Sequence, residues 1–446
     1  MVFHNIGCNL HPKISQMKYV IDSKLESFLP VSQQSDFPIQ NIPFGAGTWT
    51  TGEDVCLTRI GDTVINLSLL EKNSFFKDCG LKENTFGHNT LNSFLSHDKA
   101  TWRAIRNRIA EIFSKENKEF ERNVDLRNTI ECHISKISVG MPVNIGDYTD
   151  FYASKEHATN VGSMFRDPKN ALLPNWSHLP VGYHGRSSTI FPSGKDIYRP
   201  NGQRKAPSDE NPTFGPSKKI DFELEVGFIT GDGPENGDSI PIESAEDFIF
   251  GLVLLNDWSA RDIQQWEYVP LGPFLAKNFA SCISPWIISI DALAPFRCDR
   301  PIQNDPRPLP YLQQKSDKAN FDLSLEVNIQ PKNSSENLIA ESNFKYMYWS
   351  IAQQLAHHSI NGCLIKAGDL MGSGTISGPD KGSYGSMLEI AWNGTEPIKL
   401  LDGEQRSFVQ DYDTIILRAK ATNSDIKIGF GDCVSRIIPS KPWKKK

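Results

Sequence analysis

Three carboxylates recur at every second position of the stretch DFELEVGF, residues 221–228: Asp221, Glu223 and Glu225 alternate with Phe222, Leu224, Val226 and Phe228. A period of two marks a β-strand, whose alternate side chains share a face with roots about 6.6 Å apart. Two readings of the acidic face stand side by side. It is solvated, as is ordinary for a strand with one buried side, or its carboxylates lean together on a hard cation, which takes oxygen ligands.

Two further stretches gather chemistry-bearing side chains. In FIFGLVLLNDWSARDIQQWEYVPLGPF an apolar strand runs into Asn256 and Asp257, and a helix is expected from Trp258 to about Trp266. That helix places Arg261, Gln264 and Tyr268 on one face, with Asp257 a turn before Arg261. The face is either solvated or part of a site at the end of a buried strand. In DYTDFYASKEHATNVGSMFR, Asp147 and Asp150 precede Phe151 and Tyr152. Ser154 is placed to cap a helix, His157 falls in its first turn, and Arg166 falls at its far end. A lone histidine is most often a satisfied core or surface residue, and His178, His184, His357 and His358 share that reading. No pair has HExxH spacing, so the sequence argues against an imidazole zinc site; carboxylates are the available ligands and favour Ca2+ or Mg2+. The glycines of MGSGTISGP, residues 371–379, match neither dinucleotide nor phosphate-loop spacing and read as a tight turn whose backbone approaches a ligand.

The 446-residue chain is long enough for a large core and for two or more domains. Its formal charge of -6 and lack of a basic stripe argue against nucleic acid as a partner. The longest apolar run, FIFGLVLL, falls short of the ~20 residues of a membrane helix and reads as a buried strand. Eight cysteines are scattered singly without CxxC spacing, as expected of reduced thiols. No apolar signal core opens the chain, and Asp22 and Glu26 argue against a transit peptide, so the expected location is the cytoplasm. The Asn-x-Ser/Thr triplets at Asn66, Asn175, Asn333 and Asn393 would then stay unglycosylated, and the tail KPWKKK reads as a solvated charge run.

The elements expected to carry these residues are mostly strands. Residues 1–35 form an extension, draped or mobile. Residues 36–142 form a small β domain with a turn at Ile60-Gly61-Asp62. Within it, ATWRAIRNRIAEIFSKEN is a helix with Trp102, Ile105, Ile109, Ile112 and Phe113 on its buried face and arginines on the other. The Gly- and Pro-punctuated SVGMPVNIGD marks the boundary with residues 143–446. That second part has many strands and few helices, one of them capped by Asn343 or Ser342 and ending at Gly362. The fold class is mainly β, and not a doubly wound sheet.

Taken together, DYTDFYASKEHATNVGSMFR, NWSHLPVGYHGRSS, DFELEVGF, LLNDWSARDIQQWEYVPLGPFLAKNF and SGTISGP followed by GSMLE resemble the fumarylacetoacetate hydrolase family, in order from about Phe37 to the C-terminus. The resemblance implies a small N-terminal SH3-like β-barrel and a larger mixed β-roll, assembled as a homodimer. It places a Ca2+ and/or Mg2+ ion on Asp150, Glu223, Glu225 and Asp257, leaving Asp221 an ordinary polar neighbour. A second, structural cation is implied near Asp257, Lys277 and Ser281, the last standing where the family has threonine. Tyr152, Arg166, Gln264, Tyr268 and Thr375 fall on substrate-contacting positions. His157 is the implied general base, oriented by Glu389, with Arg261, Gln264 and Lys277 as oxyanion donors. The implied reaction is hydrolysis of 4-fumarylacetoacetate to fumarate and acetoacetate, the last step of tyrosine and phenylalanine degradation. The rivals are an acylpyruvate hydrolase or oxo-acid decarboxylase of the same fold. A silent metal-binding scaffold is a further alternative, opposed by the complete catalytic set. The extension before about residue 30 is longer than the family usually shows, and the Pro-rich DRPIQNDPRPLPYLQQKSDKAN has no readable role.

Overall fold

The structure, a computed structural model, describes residues 19–443. The hairpin expected at Ile60-Gly61-Asp62 forms between β2 (Asp54–Ile60) and β3 (Thr63–Asn66), and Gly61 takes the positive φ that a tight turn requires. With β1 (Phe44–Thr48), β4 (Glu131–His133) and β5 (Ser138–Val139) they make a five-stranded antiparallel sheet in the order β4-β3-β2-β1-β5. Helix α1 (Lys99–Phe113) starts where the Asp98 carboxylate accepts from the Thr101 N–H, and buries the five apolar residues expected of it. The arginines do not all face outward. Arg106 is buried and donates to the carbonyls of Gln40 and Asn41, and burial pulls its guanidinium down to about 10.

Ahead of this sheet, residues 21–29 are laid against it rather than free. Ile21 and Leu29 are buried, and Gln40 Nε2 donates to the carbonyls of Asp22, Ser23 and Leu25. The first 18 residues of the expected extension, and the last three of the lysine tail, lie outside the described residues.

The site is carried by a mixed sheet. Its strands are β6 (Tyr148–Phe151), β7 (Gly182–His184), β8 (Ile190–Pro192), β10 (Leu224–Thr230), β11 (Ile249–Asp257), β12 (Ser281–Ile283) and β15 (Leu370–Gly372), in the order β7-β6-β15-β10-β11-β12-β8, with Ile288–Ser289 also on β11. Both faces are covered. Leu252 and Leu254 enter one core, while Phe250, Val253 and Leu255 enter a second core with β1, β2 and α1. Such double burial explains why FIFGLVLL is continuously apolar instead of alternating. Behind the first core lies a second sheet, β14-β13-β16-β17-β9, made of β9 (Lys195–Tyr198), β13 (Ser324–Gln330), β14 (Asn337–Asn343), β16 (Thr414–Thr422) and β17 (Cys433–Ile438). The fold is mainly β with fewer helices, an N-terminal part preceding the larger one.

Three local expectations are corrected. DFELEVGF is not one strand with a wet face: Ile220–Asp221 pair with Ser259–Ala260, β10 begins only at Leu224, and every residue from Asp221 to Phe228 is buried. The helix after β11 is shorter than its pattern implied. Asn256 and Asp257 stay in the strand, where pairing takes up their backbone, and α3 spans Arg261–Glu267. The later helix, α4 (Ile351–Ser359), starts at Ser350 with a capping box to Gln353, while Asn343 caps only a short 3-10 turn at Phe344–Tyr346. The seven cysteines among the described residues are free thiols, and no described helix is long and apolar enough to cross a membrane.

Candidate metal and catalytic site

Register brings the acids together. Asp150 lies in β6 opposite Gly372 of β15, Glu225 in β10 pairs with Leu255, and Asp257 at the end of β11 pairs with Ser281. Glu223 sits just before β10, bridged to Ser386. One oxygen from each of Asp150, Glu223, Glu225 and Asp257 falls within 4.8 Å of the others, and all four residues are buried. At Gly372 the lack of a side chain matters: a Cβ there would stand 2.9 Å from Glu225 Oε2 and 3.0 Å from Asp150 Oδ1.

Their partners divide them into two pairs. Lys277 Nζ lies 2.7 Å from Glu223 Oε2 and 2.5 Å from Asp257 Oδ2; Arg261 Nη2 lies 2.8 Å from Glu223 Oε1; and Ser281 Oγ donates to Asp257 Oδ1 at 2.6 Å. Among the described residues, Glu225 Oε2 accepts only the Gly374 N–H, at 3.1 Å, while Glu225 Oε1 and Asp150 Oδ1 are buried without a partner. Burial raises the carboxyls of Asp150 and Glu225 well above their ordinary range, and the neighbouring acids add to it. Burial also raises Asp257, against the pull of Lys277. Burial would raise Glu223 too, but Lys277 and then Arg261 outweigh it and hold it low. Buried carboxylate oxygens converging from three strands, those of Asp150 and Glu225 the least satisfied, are the donor set of a hard divalent cation, whose charge would remove the repulsion.

Beside the acids, helix α2 (Lys155–Phe165) begins with Ser154 Oγ accepting from the His157 N–H, as its cap pattern predicts. His157 Nδ1 stands 2.7 Å from Glu389 Oε2, both residues being buried. A carboxylate only accepts, so the imidazole carries its proton on Nδ1 and leaves Nε2 as the basic atom. Glu389 belongs to the short helix α5 (Met387–Ile390), and its oxygens also accept from Asn160 Nδ2 at 2.9 Å, Ser377 Oγ at 2.9 Å and Ser386 Oγ at 2.8 Å. Burial opposes ionisation, yet His157 and these donors keep the Glu389 carboxyl below its usual range. The Tyr152 ring meets the imidazole edge-on with centroids 5.2 Å apart. Burial pushes its phenol up, Glu389 adds to that, and Arg166 opposes it.

The remaining expected residues are placed unevenly. Gln264 Oε1 accepts from Arg261 Nη1 at 3.2 Å, and the buried Thr375 hydroxyl has no partner among the described residues. Arg166 is exposed at the end of α2 and donates to the Ala171 carbonyl, and Tyr268 is 48% exposed just past α3; neither is drawn into the buried centre. Lys277 carries an ammonium that Asp257 and Glu223 push up despite burial; it is an ion-pair partner, and Nζ has no lone pair to ligate a cation. Asp221 is not an ordinary neighbour. It is fully buried and takes hydrogen bonds from Arg261 and from α5.

Other contributors escaped sequence reasoning. Tyr183 OH donates to Asp257 Oδ2 at 3.3 Å, and the buried Tyr148 hydroxyl has no partner among the described residues; burial and the carboxylates raise both phenols. Only the β6–β7 register, which sets Tyr183 opposite Asp150, reveals the first of them. Asn160 stands one turn beyond His157 on α2, a helical spacing that was available in the sequence.

An all-oxygen acidic centre beside a histidine–glutamate pair, on a mainly β scaffold, defines a metal-dependent hydrolytic class. The model described as Fumarylacetoacetate (FAA) hydrolase C-terminal matches residues 147–438, and that described as Fumarylacetoacetase N-terminal matches residues 40–142. The chain belongs to the fumarylacetoacetate hydrolase family. It is 51% identical over 425 residues to the fumarylacetoacetase of Dictyostelium discoideum, covering 94% of this chain and 99% of that one. Over 93% of this chain it is 48% identical to the Caenorhabditis elegans fumarylacetoacetase and 46% to the Homo sapiens one, covering 100% and 99% of those proteins.

Proposed function

We propose that this chain hydrolyses the carbon–carbon bond of 4-fumarylacetoacetate, releasing fumarate and acetoacetate, as the last step of tyrosine and phenylalanine degradation. The observation that carries the reading is the buried His157–Glu389 pair beside the four-carboxylate cluster, in a chain 51% identical to a fumarylacetoacetase. Asp150, Glu223, Glu225 and Asp257 would hold Ca2+ or Mg2+, which when bound acts as a Lewis acid on the diketone oxygens. His157 Nε2 takes a proton from the attacking water, and Glu389 stabilises the imidazolium that results; when the carbon–carbon bond breaks, its electron pair leaves with the acetoacetate carbon, which takes up the proton that His157 holds. The Arg261 guanidinium, the Gln264 amide and the Lys277 ammonium supply donors toward charge developing on the attacked carbonyl oxygen. Tyr152, Arg166, Tyr268 and Thr375 take the substrate's remaining groups, the exposed Arg166 and Tyr268 from the rim. A second cation near Asp257 would meet Lys277 and Ser281 through backbone oxygens or the Ser281 hydroxyl, not through Nζ.

The same reading divides the chain at 142/143 into an N-terminal and a catalytic domain, pairs two 50.0 kDa chains as a homodimer, and places the enzyme in the cytoplasm. The test is the loss of diketone ultraviolet absorbance when Ca2+- or Mg2+-loaded protein meets fumarylacetoacetate, set beside simpler acylpyruvates. Preference for fumarylacetoacetate is expected; faster turnover of acylpyruvates would move the assignment to the rival hydrolase.

A further inference from the structure

Asp221 carries a connection that no catalytic role accounts for. Its Oδ2 lies 2.8 Å from Arg261 Nε and accepts the Leu388 N–H at 3.0 Å, while its Oδ1 accepts the Met387 N–H at 2.7 Å. Arg261 opens α3, and Met387 and Leu388 open α5, the helix that bears Glu389. One fully buried carboxylate therefore fastens the side chain of one helix to the backbone of another. Other bonds seat these parts as well: the Arg261 N–H donates to the Lys219 carbonyl, and Glu389 accepts from Asn160, Ser377 and Ser386. The Arg261 guanidinium otherwise meets Glu223 and Gln264, and the approach to α5 is tied to the acid strand by the Leu224 N–H on the Gly385 carbonyl and the bridge from Glu223 to Ser386.

We propose that Asp221 is a positioning residue: a strut that sets the Arg261 guanidinium and the Glu389 carboxylate at a fixed separation, so that the oxyanion donor and the His157 orienter hold their places together. The inference rests on the roles given above to Arg261 and Glu389. Asp221 itself has no atom free for substrate, because both oxygens are committed. An asparagine there keeps one acceptor oxygen, and its NH2 is turned either toward Arg261 Nε and the Leu388 N–H or toward the Met387 N–H, groups that only donate. A catalytic group displaced by a fraction of an ångström loses rate rather than binding.

The test is Asp221→Asn in the metal-loaded, full-length enzyme, with metal content and circular dichroism matched to wild type. Expected are a kcat lower by about 10- to 100-fold, the range for outer partners that orient a working side chain, with KM little changed. Unchanged kcat in the folded variant overturns the strut, as does a kcat loss matched by lower metal affinity or by a KM raised to the same extent, which is what simple core damage gives. Should Asp221→Asn not fold, Asp221→Glu decides. It keeps the charge but shifts the carboxylate by one methylene, and the same kcat loss at little-changed KM is expected; a wild-type kcat overturns the proposal. Wild-type protein that ignores fumarylacetoacetate would instead remove the functional reading, separately from any Asp221 result.

Discussion

Adding Ca2+ to chelator-stripped protein at about pH 7 is expected to expel about one proton per chain. Lys277 lies against Glu223 and Asp257, whereas Asp150 Oδ1 and Glu225 Oε1 have no hydrogen-bond partner among the described residues. Two negative charges at the 4.8 Å limit of the cluster repel by about 3.5 kcal/mol at an effective dielectric constant of about 20. At 1.4 kcal/mol per tenfold, that favours one shared proton on this pair by a factor of a few hundred, and burial pushes the same way. A divalent ion reverses the balance and displaces the proton. Calorimetric titrations in PIPES and in Tris, whose ionisation heats differ, give the proton count from the difference in apparent enthalpy. Affinity should also rise between about pH 6 and about pH 8 by up to about tenfold per pH unit. The stability of the stripped protein has the opposite sign. A carboxyl raised in the folded state is stabilising while protonated, so the melting temperature falls as pH climbs above the ordinary carboxyl range toward the raised one. Binding without proton release, with affinity flat across this range, would show that the pair is already ionised and that the electrostatic reasoning fails.

Other perturbations separate chemistry from scaffold. His157→Ala should lower kcat by about 10²- to 10⁴-fold while leaving the fold and the proton count intact; wild-type turnover would remove the base assignment. Gly372→Ala forces a methyl group against Glu225 and Asp150, so calorimetry should show weakened ion binding, with unaltered affinity refuting the close approach. Ser350→Ala removes the hydroxyl half of the capping box on α4, the acceptor of the Gln353 N–H, and keeps the backbone N–H that donates to Gln353 Oε1; it should cost about 1 kcal/mol in denaturant unfolding, with no change in kcat.

Much of the fold was legible because it depends on neighbours in the chain. The hairpin at Gly61, the Ser154 cap that puts His157 in a first turn, and the apolar stripe of α1 are all local patterns. The misreadings share a cause as well. Asn256 and Asp257 look like helix caps, but strand pairing with β10 and β12 outweighs that preference. Arg106 is spaced as a surface residue, yet it finds carbonyls at Gln40 and Asn41 that satisfy it inside.

The sequence by itself determined which residue types were available: oxygen ligands rather than imidazole clusters, a capped histidine, and a strand apolar enough to be buried on both faces. The three-dimensional structure alone decided that Asp221 faces Arg261 and the start of α5 while Glu223 and Glu225 face Asp150 and Asp257, and that Tyr183 reaches the same centre. The reason is that period and capping act over a few residues, whereas Coulomb repulsion, burial and hydrogen-bond closure act through space. Their partners are chosen by strand register and by which helix end arrives opposite.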